Sequence, residues 1–190
     1  MAEGGGPFGA VIARNGRIVA TGTNRVTAEN DPTAHAEVQA IREAARRLGT
    51  FDLSGCEIYT SCEPCPMCLG AIYWARLDKV YFANGKEDAK AIGFDDSLIY
   101  DELALPRSER RLPSQELMRS EALEAFRLWS AKPDKRPTDG RRERAAAARA
   151  CQARQENGYG KVTTSGHHDQ RLFAAPIGQA LWVIIPRRRP

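Results

Sequence analysis

Two short stretches constrain this chain more than any others: Asp31-Pro32-Thr33-Ala34-His35-Ala36-Glu37 and Pro64-Cys65-Pro66-Met67-Cys68. The first holds a His and a Glu two positions apart, the second a pair of Cys three positions apart. One imidazole and two thiols are ligands of the kind a zinc ion takes, and Glu37 is a carboxylate left over beside them. A structural zinc closes its shell with four protein ligands, whereas a catalytic one takes three and leaves a position for water. The pattern therefore calls for a fold that brings two separate helix starts to one point.

Each stretch reads as such a start. Asp31 is a candidate N-cap with Pro32 at the first helical position, where its missing N–H costs nothing. Val38, Ile41, Ala45 and Leu48 then recur at helical spacing, and Gly49 supplies the stop. Cys65 and Pro66 open a second helix through Leu69, Ile72 and Tyr73 to about Arg76. Residues two apart do not share a face on a regular helix. In a first turn, though, side chains lean toward the N-terminus, so His35 and Glu37 can converge on a point ahead of it. Cys65 and Cys68 do share a face, and two positive helix ends aimed at one spot favour thiolate over thiol. Two rivals stay open here. Cys62-Glu63-Pro64-Cys65 is itself a C-x-x-C, which suits a redox pair or a closed structural zinc with Cys62 as fourth ligand.

Around these motifs the pattern is α/β. Phe8 to Arg14 and Arg17 to Thr21 are apolar runs joined by Asn15-Gly16, a strong hairpin signal. Residues 22 to 30 read as loop. Glu57 to Thr60 and Lys79 to Ala83 read as strands, and because the second helix joins them they are expected to run parallel. The order β–α–β–α–β predicts helices packed on a sheet. The acid-bearing stretch from Gly85 to Asp101 is irregular, and Glu116 to Trp129 suggests one or two amphipathic helices.

Composition changes sharply near residue 139. Ten of the 28 Lys and Arg but only three of the 24 acids fall from Gly140 onward, leaving 18 basic against 21 acidic groups before it. The net charge of +4 thus belongs to the tail. The mildly acidic body lacks the electrostatic footprint of a nucleic-acid binder. We divide the chain into a domain over residues 1–138 and an Arg/Ala-rich tail over 139–190, expected to be disordered. Four of the five Cys crowd between 56 and 68, a spacing that suits a metal better than a disulfide framework. No apolar run reaches the length of a membrane span, and a reducing, cytoplasmic setting fits best.

His35-Ala36-Glu37 followed by Pro64-Cys65-Pro66-Met67-Cys68 resembles the H-x-E…P-C-x-x-C signature of the zinc-dependent cytidine deaminase superfamily. Gly6-Pro7-Phe8-Gly9-Ala10-Val11, Asn30 to Glu37, Tyr59 to Trp74 and Gly93-Phe94-Asp95-Asp96 are similar to one branch, the bacterial guanine deaminases. The resemblance runs from about Gly5 to Lys135. It implies a three-layer cytidine-deaminase-like fold, a mixed sheet flanked by helices. It further implies one Zn²⁺ held by His35, Cys65 and Cys68 with a water in the fourth position. Glu37 would take a proton from that water and return protons to the purine ring and the leaving amine. Asn24, Asp96 and the Ala36 backbone would hydrogen-bond the base, and Phe8 and Trp74 would wall the pocket. A homodimer with a swapped C-terminal segment and a free-base substrate, with neither nucleic acid nor membrane as partner, complete the expectation. Relatives carry a further helix ahead of Gly-Gly-Pro-Phe and stop near Lys132 to Lys135. The expected domain here lacks that first helix. The alternatives are a tRNA adenosine deaminase, which shares both motifs, and an inactive truncated homologue whose zinc is structural.

Overall fold

The computed structural model describes residues 5–138 and two later strands, Leu172–Pro176 and Trp182–Pro186. Two compact units divide it, residues 1–111 with 169–190 and residues 112–168.

The first unit is built on a four-stranded sheet. Strands β1 (Gly9–Arg14) and β2 (Arg17–Thr23) form the expected hairpin. Both turn residues have positive φ, 52° at Asn15 and 74° at Gly16, the conformation a two-residue turn of this hand requires. A short helix α1 (Val26–Glu29) interrupts what the sequence reads as loop. Helix α2 (Ala36–Leu48), strand β3 (Cys56–Cys62), helix α3 (Pro66–Ala75) and strand β4 (Lys79–Asn84) follow. The sheet order is β2-β1-β3-β4, with β1 antiparallel to both neighbours and β4 parallel to β3. The expected mixed α/β architecture is thus present, and α3 is the crossover that a parallel pair needs.

The two central strands are apolar on both faces and alternate between two clusters. Ala10, Ile12 and Ile58 join Ala40, Ala44 and Ile72 from the helices, while Val11, Ala13 and Tyr59 turn the other way, where Tyr59 stacks on Tyr81 at 4.6 Å. Small residues set how closely α2 lies on the sheet. A Cβ at Gly22 of β2 would stand 2.1 Å from the Ala36 carbonyl oxygen and 2.5 Å from the Ala40 nitrogen, so only glycine fits. At its far end α2 stops at Gly49, with φ 65°, and Arg47 donates to the Val19 carbonyl of β2 at 2.9 Å.

One expectation needs correcting. Helix α2 does not start at Pro32 with Asp31 as its cap; it starts at Ala36, with His35 in the N-cap position. The Asp31 carboxylate is already used by a local turn, accepting from the backbone N–H and hydroxyl of Thr33, each at 2.7 Å. A residue before proline is also pushed away from the helical region, so Asp-Pro suits this turn as well as a helix start.

Beyond β4, the stretch that the sequence reads as irregular holds two short helices, α4 (Lys86–Ala91) and α5 (Ser97–Ala104). The Asp88 carboxylate accepts from the Gly85 N–H at 2.8 Å at the start of α4. In the tail, β5 (Leu172–Pro176) and β6 (Trp182–Pro186) pair antiparallel, a departure from a tail without structure. The rest of that expected disordered tail lies outside the described residues. In the second unit, α6 (Arg119–Ala131) carries exposed Leu123, Phe126 and Trp129, three apart along one stripe.

Candidate active site

Helices α2 and α3 deliver the three metal-type ligands. His35 and Cys65 are both N-cap residues with extended backbones, φ/ψ of −70°/153° and −63°/167°, which swing their side chains off the helical repeat. Cys68 sits one turn into α3. The Nδ1 of His35 lies 3.6 Å from Cys65 Sγ and 3.5 Å from Cys68 Sγ, and the three donor atoms all fall within 4.8 Å of one another. Zn–S bonds of about 2.3 Å and a Zn–N bond of about 2.0–2.1 Å in a tetrahedron place N and S about 3.6 Å apart. Both distances from His35 are thus those of a tetrahedral zinc site, and among the described residues no fourth His, Cys or carboxylate joins the three. Cys62 is not part of it. Its thiol donates to the Gly85 carbonyl at 3.5 Å, which leaves the closed four-ligand arrangement without its fourth member.

The electrostatics fit a cation. A hydrogen bond from Cys68, with further help from His35, draws the Cys65 thiol down to about 4. That same bond, burial and the nearby Glu37 carboxylate hold Cys68 above its ordinary value. A divalent cation bound between them would favour the thiolate form of both. Glu37, the second residue of α2, is only 7% exposed, and burial pushes its carboxyl above the usual range. Its Oε2 accepts from Cys68 Sγ at 3.4 Å.

His35, Glu37 and Cys65 open onto a cavity of about 590 Å³. Phe8 lines it, meeting Phe94 edge-to-face with ring centroids 4.8 Å apart. Asn24 lines it too, its Oδ1 accepting from the backbone N–H groups of Gly6 and Val26, both at 3.3 Å. These two bonds fix the side-chain amide in place at the cavity wall. Asp96 also lines the cavity, its carboxyl raised mainly by burial. Ala36, whose backbone was expected to serve the base, is the buried first residue of α2 and is not among the lining residues. Trp74 departs further from its expected place as a pocket wall. It stands near the end of α3, 70% exposed and outside the cavity, because Cys65 and Cys68 at the start of that helix are the residues turned toward His35.

Phe94, Glu63 and Lys86 line the cavity without having been singled out as contacts in the sequence. Phe94 could have been, since it belongs to the Gly93–Asp96 stretch that marks the branch. Glu63 and Lys86 carry no such signal, because their convergence depends on the parallel pairing of β3 with β4. Asp95 is held down to about 2 by Ser97 and by Lys90, whose ammonium is 3.2 Å away.

A buried carboxylate beside a His–Cys–Cys cluster, opening onto an aromatic-walled cavity, is an arrangement suited to zinc-assisted hydrolysis. Residues 1–84 match the family profile described as the cytidine and deoxycytidylate deaminase zinc-binding region. The guanine deaminase of Bacillus subtilis (strain 168) is 56% identical over 125 residues, covering 66% of this chain and 80% of that one. The chain belongs to this family of zinc-dependent deaminases. The X-ray structure of guanine deaminase from Bacillus subtilis matches with a TM-score of 0.68 at 53% identity, over 70% of this chain and 85% of that one. A tRNA-specific adenosine deaminase of Aquifex aeolicus (strain VF5) is 49% identical over 77 residues, 40% of this chain and 51% of that one.

Proposed function

We propose that this chain is a zinc-dependent guanine deaminase, converting guanine and water to xanthine and ammonia. The observation that carries the reading is the Glu37 carboxylate, 3.4 Å from Cys68 Sγ and buried beside donors at zinc spacing in the Phe8/Phe94 cavity. Guanine as the base rests on the 56% identical relative, which covers far more of the chain than the match to the tRNA-specific enzyme does.

His35, Cys65 and Cys68 would hold the zinc. Zinc bound there supplies a Lewis acid that lowers the pKa of the attacking water to about 7. Glu37 takes a proton from that water and hands protons to a ring nitrogen and to the departing amine, work that two oxygens in a low-dielectric site suit. Phe8 and Phe94 bracket the flat base. Asn24 offers amide hydrogens to its acceptors, and Asp96 accepts from its N–H groups.

The deaminase domain spans residues 1–138, a division supported by a 125-residue match that accounts for 66% of the chain. A homodimer is supported by the outward face of α3, and a swapped C-terminal segment would accompany it. Leu69 and Tyr73 lie one turn apart there, with Trp74 beside them and Gly70 leaving room for close approach. No helix among the described residues is long and apolar enough to cross a membrane, and a cytoplasmic enzyme acting on a small free base agrees with this.

Zinc analysis with a xanthine-formation assay tests the reading. One zinc per chain, xanthine produced from guanine, and a Glu37→Ala variant that keeps zinc but is inert are expected. A zinc-loaded chain that leaves guanine untouched overturns it.

A further inference from the structure

The strand ends ahead of Cys65 are tied together in a way the reaction does not account for. At the last residue of β4, Asn84 Nδ2 donates to the Ser61 carbonyl at 2.9 Å, and the Asn84 carbonyl accepts from the Glu63 N–H at 2.8 Å. Asn84 stands opposite Cys62 in the parallel register, so its side chain and its backbone grip the chain on either side of Cys62. Two further bonds join the same segments: Cys62 Sγ donates to the Gly85 carbonyl at 3.5 Å, and the Lys86 N–H to Glu63 Oε2 at 3.4 Å. Ser61 is itself anchored on the other side, its hydroxyl accepting from the Gly9 N–H at 3.1 Å.

What leaves this grip is stiff. Of the next three residues after Glu63, Pro64 and Pro66 have φ fixed by their rings, and Cys65 lies between them. A displacement of the Ser61–Glu63 segment has few dihedrals in which to dissipate before it reaches Cys65. We infer that Asn84 is a positioning residue for the metal centre, holding the Cys65 thiolate at the distance from His35 and Cys68 that zinc requires. It touches neither metal nor substrate; it acts through the two peptide groups flanking Cys62. The inference rests on His35, Cys65 and Cys68 being the ligands.

The experiment follows zinc release from the full-length zinc-loaded protein into a chromogenic chelator, at a temperature where circular dichroism shows every variant folded. Asn84→Asp keeps the side chain's shape but replaces the donor by an oxygen facing the Ser61 carbonyl, and Asn84→Ala deletes the donor with less repulsion. Val11→Ala, in the cluster on the opposite sheet face, is the control for general destabilisation. Asn84→Asp is expected to release zinc about tenfold faster than the parent, as loss of a ligand-supporting contact does. Asn84→Ala should fall between the two, and Val11→Ala should release at the parental rate despite a lower melting temperature. If Asn84→Asp does not fold, Asn84→Ala decides alone. Parental release from the Asn84 variants overturns the inference, as does equal acceleration by Val11→Ala. A Cys68→Ala arm separates the two readings: zinc retained there as in the parent refutes the ligand assignment, whereas zinc lost there with parental release from the Asn84 variants refutes the role of Asn84 alone.

Discussion

His35 Nδ1 stands 3.5 Å from Cys68 Sγ although the two residues are 33 positions apart in the chain. Neither strand pairing nor helix periodicity requires that meeting. It arises because α2 and α3 both begin at the same end of the sheet, each with a ligand in its N-cap. Replacing either partner should cost the metal. Cys68→Ala is expected to bring zinc from one per chain to well below half and to abolish turnover, as read by elemental analysis and xanthine formation.

Glu37→Gln separates chemistry from architecture. The amide fills the same buried space and has no charge to desolvate, but cannot accept a proton. Turnover should fall by about two to four orders of magnitude. Zinc content should stay at the parental value, and the melting temperature should be no lower than the parent's.

Gly22→Ala tests the closeness of sheet and helix. The added methyl would meet the Ala36 carbonyl and the Ala40 nitrogen, backbone atoms that cannot rotate away. A loss of about 3 kcal/mol in urea unfolding is expected, the upper part of the usual range for overpacking. Because α2 must shift, and His35 with it, zinc affinity should fall together with stability.

Phe94→Leu keeps an apolar wall but removes the aromatic edge against Phe8. Guanine KM is expected to rise about threefold to tenfold with kcat little changed, the pattern of a contact made equally in ground and transition states. A fall in kcat alone would contradict it.

The acid limb of stability should bear the mark of Glu43. Hydrogen bonds from Arg46 and Arg47 hold its folded value at about 2, against an ordinary 4.5. A depressed carboxyl contributes stability that is complete above 4.5 and disappears as pH falls toward 2. The melting-temperature difference between the parent and Glu43→Gln should therefore be constant near neutrality and close across that window. The pair is exposed, so the difference should be small and shrink in high salt.

Much of the site was legible because ligand chemistry leaves short-range marks. The His-x-Glu and Cys-x-x-Cys spacings, Asn15-Gly16 and Gly49 each report a local geometry that survives folding unchanged. Pro32 misled because proline's fixed φ serves a turn as readily as a first helical turn, and the competition for the Asp31 carboxylate is settled by Thr33, not by spacing. Helices α4 and α5 were missed because they are only six and eight residues long, too short for an apolar period to show. Trp74 was misplaced for a different reason. A resemblance carries over residue types, but which way a helical side chain points in this chain is decided by the face that Cys65 and Cys68 occupy.

The two N-caps that carry the ligands have a consequence for the cell's economy of metal. An ion shared by His35 and Cys65 clips together two helices that the backbone joins only through β3 and its flanking loops. Because the unfolded chain has no such preformed site, the free energy of binding is added to that of folding, about 2.7 kcal/mol when free zinc is a hundred times its dissociation constant. The melting temperature of this protein is therefore a gauge of zinc supply. Scarcity would deplete the folded chain itself, before any question of how well the remaining molecules turn over their base.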